Sequence, residues 1–144
     1  MLSRLTLSAE HEELTDLAAA LVDCVGAPAP RPDAVGRIRW QLTRKLLAHL
    51  AKEDNLLYPR LKAGSDARAA ALAHRFADEM GDLAHRYRAY IADWPADRIA
   101  ADWRRFGMET RRIVQTLNHR IMREETALYA LLPGPPPQSG RTAV

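Results

Sequence analysis

Four apolar seams, each stepping by alternating three and four residues, run through this chain of 144 residues, with prolines and glycines between them. Such stepping keeps side chains on one face of an α-helix, so the pattern predicts four long helices. The first seam is Leu7, His11, Leu14, Ala18, Leu21 and Val25, on a helix expected from Ser3 or Leu5 to about Val25. Residues 26–33 hold Pro28, Pro30 and Pro32 and must break it. The second seam, Leu42, Leu46, His49, Glu53 and Leu56, falls on a helix expected over residues 34–62. Asp33 is its expected N-cap, and Pro59 is where it should end early or kink. Gly64 then reads as a C-cap and Ser65 as the next N-cap. The third seam is Ala69, Ala73, Phe76, Met80, Leu83, Tyr87, Tyr90 and Trp94, on a helix expected over residues 66–93. The fourth is Ile113, Leu117, Arg120, Glu124, Ala127 and Leu131, on a helix expected over residues 96–132. Four such helices with short connections predict an all-α fold, an antiparallel up-down-up-down four-helix bundle. Residues 133–144 are rich in proline with little to bury, and read as a disordered tail after a single domain over residues 1–132.

Composition narrows the function classes. Apolar residues make up 47% and aromatics 6%, with alanine and leucine abundant and β-branched residues few, which favours helix. The net charge of +3 is mild and its basic residues are dispersed among acidic ones, so nucleic acid is not implied. Arg104, Arg105, Arg111 and Arg112 are expected to solvate the outer face of the fourth helix, and Trp40, Trp94 and Trp103 to anchor the core or an interface. A single cysteine, Cys24, rules out an intrachain disulfide and fits a reducing compartment. No apolar run is long enough to span a bilayer and no signal-peptide pattern opens the chain, so a cytoplasmic protein without a membrane partner is expected.

The seams are apolar except where they carry His11, His49, Glu53, Arg120 and Glu124. His49 and Glu53 stand one turn apart on the buried face. Burying that carboxylate is costly without a positive partner, and a metal ion on a His-x-x-x-Glu pair is one such partner. An internal repeat brings more polar residues to the same level. Residues 49–58 line up with residues 120–129 at an offset of 71, matching Glu53 to Glu124, Leu57 to Leu128 and Tyr58 to Tyr129. Glu10-His11 lines up with Glu79-Met80 at an offset of 69. The chain therefore reads as two copies of one helical hairpin. Tyr58 and Tyr129 are expected to pack between helices, each hydroxyl finding a partner, rather than to perform redox chemistry.

With those residues in hand, the chain resembles the hemerythrin-like domain, the HHE cation-binding family, over about residues 3–132. The resemblance rests on Glu10-His11, residues 49–59, and Glu124-Glu125-x-x-Leu128-Tyr129. It implies a four-helix bundle holding two irons, or another metal pair, between histidines from all four helices and carboxylates from the second and fourth. It also implies binding of oxygen, sensing of oxygen or iron, or handling of nitric oxide or peroxide. His11, His49, Glu53 and Glu124 fall on family ligand positions. Met80 and Arg120 stand where the histidines of the third and fourth helices are expected. His119 is one residue off the seam, and His74 and His85 are also off it, so all three are expected at the surface. Phe76 and Ala84 occupy the places one turn from the third-helix position.

In the family's arrangement the histidines of the first two helices serve one metal, so the resemblance implies at most one metal here: iron, or manganese or zinc in its place. Arg120, one turn before Glu124, could put its guanidinium where a second cation would sit. Two accounts stay open. In one, His11, His49, Glu53 and Glu124 hold a metal that binds or senses a small diatomic or peroxide ligand. In the other, Arg120 and a protonated histidine neutralise the glutamates without metal, and the bundle serves as a protein-interaction or regulatory module, with a protein partner or a homo-oligomer as what it would assemble into. No nucleophile motif or second titratable pair points to an enzyme.

Overall fold

The computed structural model describes residues 2–132; the predicted disordered tail lies outside them. Helix α1 covers Arg4–Val25. The Ser3 hydroxyl caps it by accepting from the Thr6 backbone N–H at 3.1 Å. Helix α2 covers Pro32–Lys52, starting two residues before the expected position. Proline suits a first helical turn because its missing N–H would have no partner there, so Asp33 lies inside the helix rather than capping it.

Regular α-geometry then gives way to a wider i→i+5 turn, Glu53–Leu57, before α3, Tyr58–Ala63. The next cap is Asp66 rather than Ser65. Its side chain accepts from Arg68 N–H at 3.0 Å and Ala69 N–H at 3.1 Å. The third predicted helix is two: α4, Ala67–Met80, and α5, Leu83–Asp93. The backbone wraps so tightly at Gly81 that an added Cβ would stand 2.3 Å from the Ala77 carbonyl oxygen, which makes glycine the residue for that break. The fourth is also divided. Helix α6, Ala96–Ala101, ends at Asp102, and α7, Trp103–Arg123, follows. A second i→i+5 turn, Glu124–Leu128, and a short 3₁₀ segment, Tyr129–Leu131, close the described chain.

Among the described residues there is no strand, and the helices form a bundle in which α1 packs along α2 and α7, α5 along α7, and α3 against α4. None of these helices is long and apolar enough to cross a membrane. All eight predicted seam residues of the third segment are buried, as are all six of the first. The seams slip by one residue beyond each wide turn: Leu57 is buried where Leu56 was expected, and Leu128 and Leu132 where Ala127 and Leu131 were. Trp94 and Trp103 are buried, and the Trp103 indole N–H donates to the Ala27 carbonyl at 2.8 Å. Trp40 is no core anchor; it is 61% exposed beneath the Arg44 guanidinium.

Two apolar clusters make the core. One runs from Leu14, Leu46, Leu83 and Leu117 towards Trp94 and Trp103. The other gathers Leu7, Leu57, Tyr58, Phe76, Leu128 and Tyr129. Along α1, and along α2 and α7 with the wide turns that follow them, the polar seam residues fall between the clusters: His11 between Leu7 and Leu14, His49 and Glu53 between Leu46 and Leu57, Arg120 and Glu124 between Leu117 and Leu128. The core is thus divided by one polar layer.

Candidate metal centre

α1 contributes His11, α2 His49, and the two wide turns open on Glu53 and Glu124. All four are at most 2% exposed, and one ligand atom from each lies within 4.8 Å of the others. Ligands about 2.1 Å from one ion stand ~3–4 Å from each other, so a small contraction would close this set on a metal.

The imidazoles are oriented from outside. His49 Nδ1 lies 2.8 Å from Glu10 Oε1, and Glu10 is itself paired with Lys52. His11 Nδ1 lies 2.9 Å from Glu125 Oε2, which also accepts from the Ser8 hydroxyl. An ionised carboxylate only accepts, so both Nδ1 atoms carry the proton and both Nε2 atoms face the glutamates. His11 Nε2 is 3.2 Å from Glu124 Oε1, and His49 Nε2 is 3.2 Å from Glu53 Oε1. Neither His49 Nε2 nor Glu124 Oε1 has a hydrogen bond of acceptable geometry despite full burial. Two buried polar atoms without a partner call for a missing one, and a cation shared between them is one that fits their chemistry.

Electrostatics agree. Burial alone would raise Glu53, but His49 and Arg120 outweigh it and hold the carboxyl down at about 2. Burial and the charge of Glu53 push Glu124 up. Burial disfavours protonated His49, yet Glu53 and Glu10 overcome it and raise its pKa. The cluster therefore asks for positive charge on the imidazole side, from a proton or from a metal.

The far side is already served. Arg120, 1% exposed, donates from Nε to Glu124 Oε2 at 3.0 Å and from Nη2 to Glu53 Oε1 at 3.2 Å and Asp54 Oδ1 at 2.7 Å. Its Nη1 donates to the Met80 carbonyl at 3.1 Å, where α4 ends. Met80 thus meets the layer through its backbone while its side chain belongs to the apolar cluster that also holds Phe76 and Leu57. The tyrosines cross between the two arms. Tyr58, just past the first wide turn, donates to Glu124 Oε2 at 2.5 Å, and Tyr129, just past the second, donates to Glu53 Oε2 at 2.5 Å. At ~100° per residue, a regular helix would turn either tyrosine ~140° away from the glutamate five positions earlier. The wider turn brings both inward.

A family model described as the hemerythrin HHE cation-binding domain matches residues 5–132. The chain belongs to that family. No curated protein and no solved structure matches it. Within this hemerythrin domain the six polar-layer positions read from the seams, His11, His49, Glu53, Met80, Arg120 and Glu124, do come together, while His74, His85 and His119 are exposed. Glu10, Glu125 and Asp54 were missed as partners. Each adjoins a polar seam residue in sequence, and that adjacency was the available signal. Both wide turns were missed as well.

Proposed function

We propose that this hemerythrin-family domain holds one divalent metal ion through the Nε2 atoms of His11 and His49 and one oxygen each of Glu53 and Glu124. Imidazole with carboxylate suits iron, and manganese and zinc share the preference. Bound iron with an open coordination position supplies affinity for a small ligand such as oxygen, nitric oxide or peroxide, and the domain would act as its binder or sensor. The chain's own part is to fix the donor atoms and keep water out. Glu10 and Glu125 hold the imidazoles, Tyr58 and Tyr129 hold the carboxylates, and two apolar clusters close the layer from either side. The observation that carries this reading is the pair of buried atoms left without a donor, His49 Nε2 and Glu124 Oε1.

A second reading, a metal-free bundle serving as an interaction module, is favoured by Arg120, which pairs with both glutamates. Elemental analysis of protein purified without a metal-scavenging tag, before and after anaerobic loading with Fe(II), separates the two. One equivalent per chain is expected. None after loading would leave the metal-free reading, and two would contradict the single-ion site.

A further inference from the structure

The carboxylate oxygens of Glu53 and Glu124 take three kinds of partner, imidazole, guanidinium and phenol, and Glu53 Oε1 is shared by the first two. Imidazole nitrogens approach Glu53 Oε1 and Glu124 Oε1 at 3.2 Å, and the guanidinium of Arg120 approaches Glu53 Oε1 and Glu124 Oε2. The guanidinium is gripped from three further directions. Asp54 adds a second carboxylate beside Glu53, the Met80 carbonyl receives Nη1, and the Tyr58 ring lies 5.3 Å beneath its central carbon. A guanidinium stays charged throughout the pH range in which proteins are folded. The break at Gly81 that ends α4 at Met80 belongs to this arrangement, because a helix C-terminal carbonyl is a natural acceptor for a cation. A surface cavity of about 530 Å³, with Met80, Leu83, Thr116, His119 and Arg123 in its walls, also reaches Arg120. Neither Glu53 nor Glu124 lines it.

We propose that Arg120 is a built-in cation of this centre, bridging Glu53 Oε1 and Glu124 Oε2. The site therefore takes one exchangeable metal and stays assembled when that metal is absent. This is a positioning role: the guanidinium sets the charge and orientation of both carboxylates. It rests on the proposed function only for the identity of the partner on the imidazole side, since the paired charges are present with or without metal.

Three variants test it: Arg120→Lys, Arg120→Gln and the double change Arg120→Gln with Glu124→Gln. The readouts are the thermal midpoint of the metal-free protein and Mn(II) or Fe(II) stoichiometry after anaerobic loading. Arg120→Lys keeps the charge and should keep the wild-type stoichiometry. Arg120→Gln should lower the metal-free midpoint by ~10 °C, as stranding buried carboxylates does. Excess metal should recover that loss, with about one equivalent more than wild type bound. A side chain that only filled space would not change the stoichiometry. If Arg120→Gln does not fold, the double variant decides. Removing the carboxylate charge with the guanidinium should restore a folded protein if the two are counter-charges. A double variant as damaged as the single one overturns the proposal, as does an Arg120→Gln protein with wild-type midpoint and stoichiometry. Wild-type protein that binds no metal would defeat the proposed function alone, because the midpoints of the three metal-free variants would still decide the role of Arg120.

Discussion

Single side chains in this protein work through a neighbour on another helix. Glu10 and His11 adjoin on α1, yet Glu10 orients His49 on α2, while His11 is oriented by Glu125 beyond α7. Outer partners of metal-binding histidines typically matter by 10–100-fold in metal affinity. Glu125→Ala should therefore weaken Mn(II) or Fe(II) binding by roughly that factor. The fold should survive, because the Glu125 side chain is partly exposed. Titration calorimetry with matched circular dichroism checks this, and an unchanged affinity would mean that His11 needs no external hold. The inner residues could be read from the sequence because each interrupts an apolar seam on its own helix, whereas Glu10 and Glu125 offered only their place beside a polar seam residue. A carboxylate at the edge of a seam looks like any solvated surface residue until the facing helix is in place.

At the scale of elements, the two i→i+5 turns decide what each arm presents to the layer. They occupy matching places in the repeat, Glu53–Leu57 and Glu124–Leu128, and each is followed by a tyrosine that serves the other arm's glutamate. Pro59 follows the first turn, but the matching residue after the second is Ala130, so proline is not what the two have in common. What they share is a glutamate, a leucine and a tyrosine that must all face inward, which regular 3.6-residue spacing does not allow. Pro59→Ala should leave the turn and the metal stoichiometry unchanged. It should cost only about 0.4–1 kcal/mol, through the freer unfolded chain. Urea unfolding with metal analysis would show this, and a loss of several kcal/mol with a lost metal site would make the proline the cause of the turn. The slip of both seams follows from the same geometry. Periodicity assumes one turn size, so it placed every seam residue of the third segment and missed Leu57, Leu128 and Leu132 by one position. The breaks at Gly81 and Asp102 were missed for a related reason, since the buried face continues across them and its period shows no interruption.

For the molecule as a whole, the polar layer sits between two apolar ends, and all four tyrosines lie buried against it or within those ends. Tyr58 and Tyr129 are held far from ionisation by burial and the adjoining glutamates. At the opposite end, burial pushes Tyr87 up to about 12, although its contact with Thr43 pulls the other way. Burial likewise raises Tyr90, which is bonded to Thr110. A phenol in the unfolded chain ionises near pH 10, so the unfolded state gives up protons at lower pH than the folded one. The stability tied to Tyr87 is therefore fully present below about pH 10 and is lost as pH rises through about 12. The native protein should show almost no tyrosinate absorbance at pH 10–11, where free tyrosine is half ionised or more. Above that range the tyrosinate band and the loss of helical circular dichroism should rise together in one steep transition, because Tyr58 and Tyr129 do not ionise until the bundle opens. Tyr87→Phe should make the transition shallower, because one phenol fewer gives up its proton on opening. Gradual ionisation with a midpoint near pH 10 and an unchanged helical signal would mean that the two ends of the core admit water, and the closed polar layer between them would lose its physical basis.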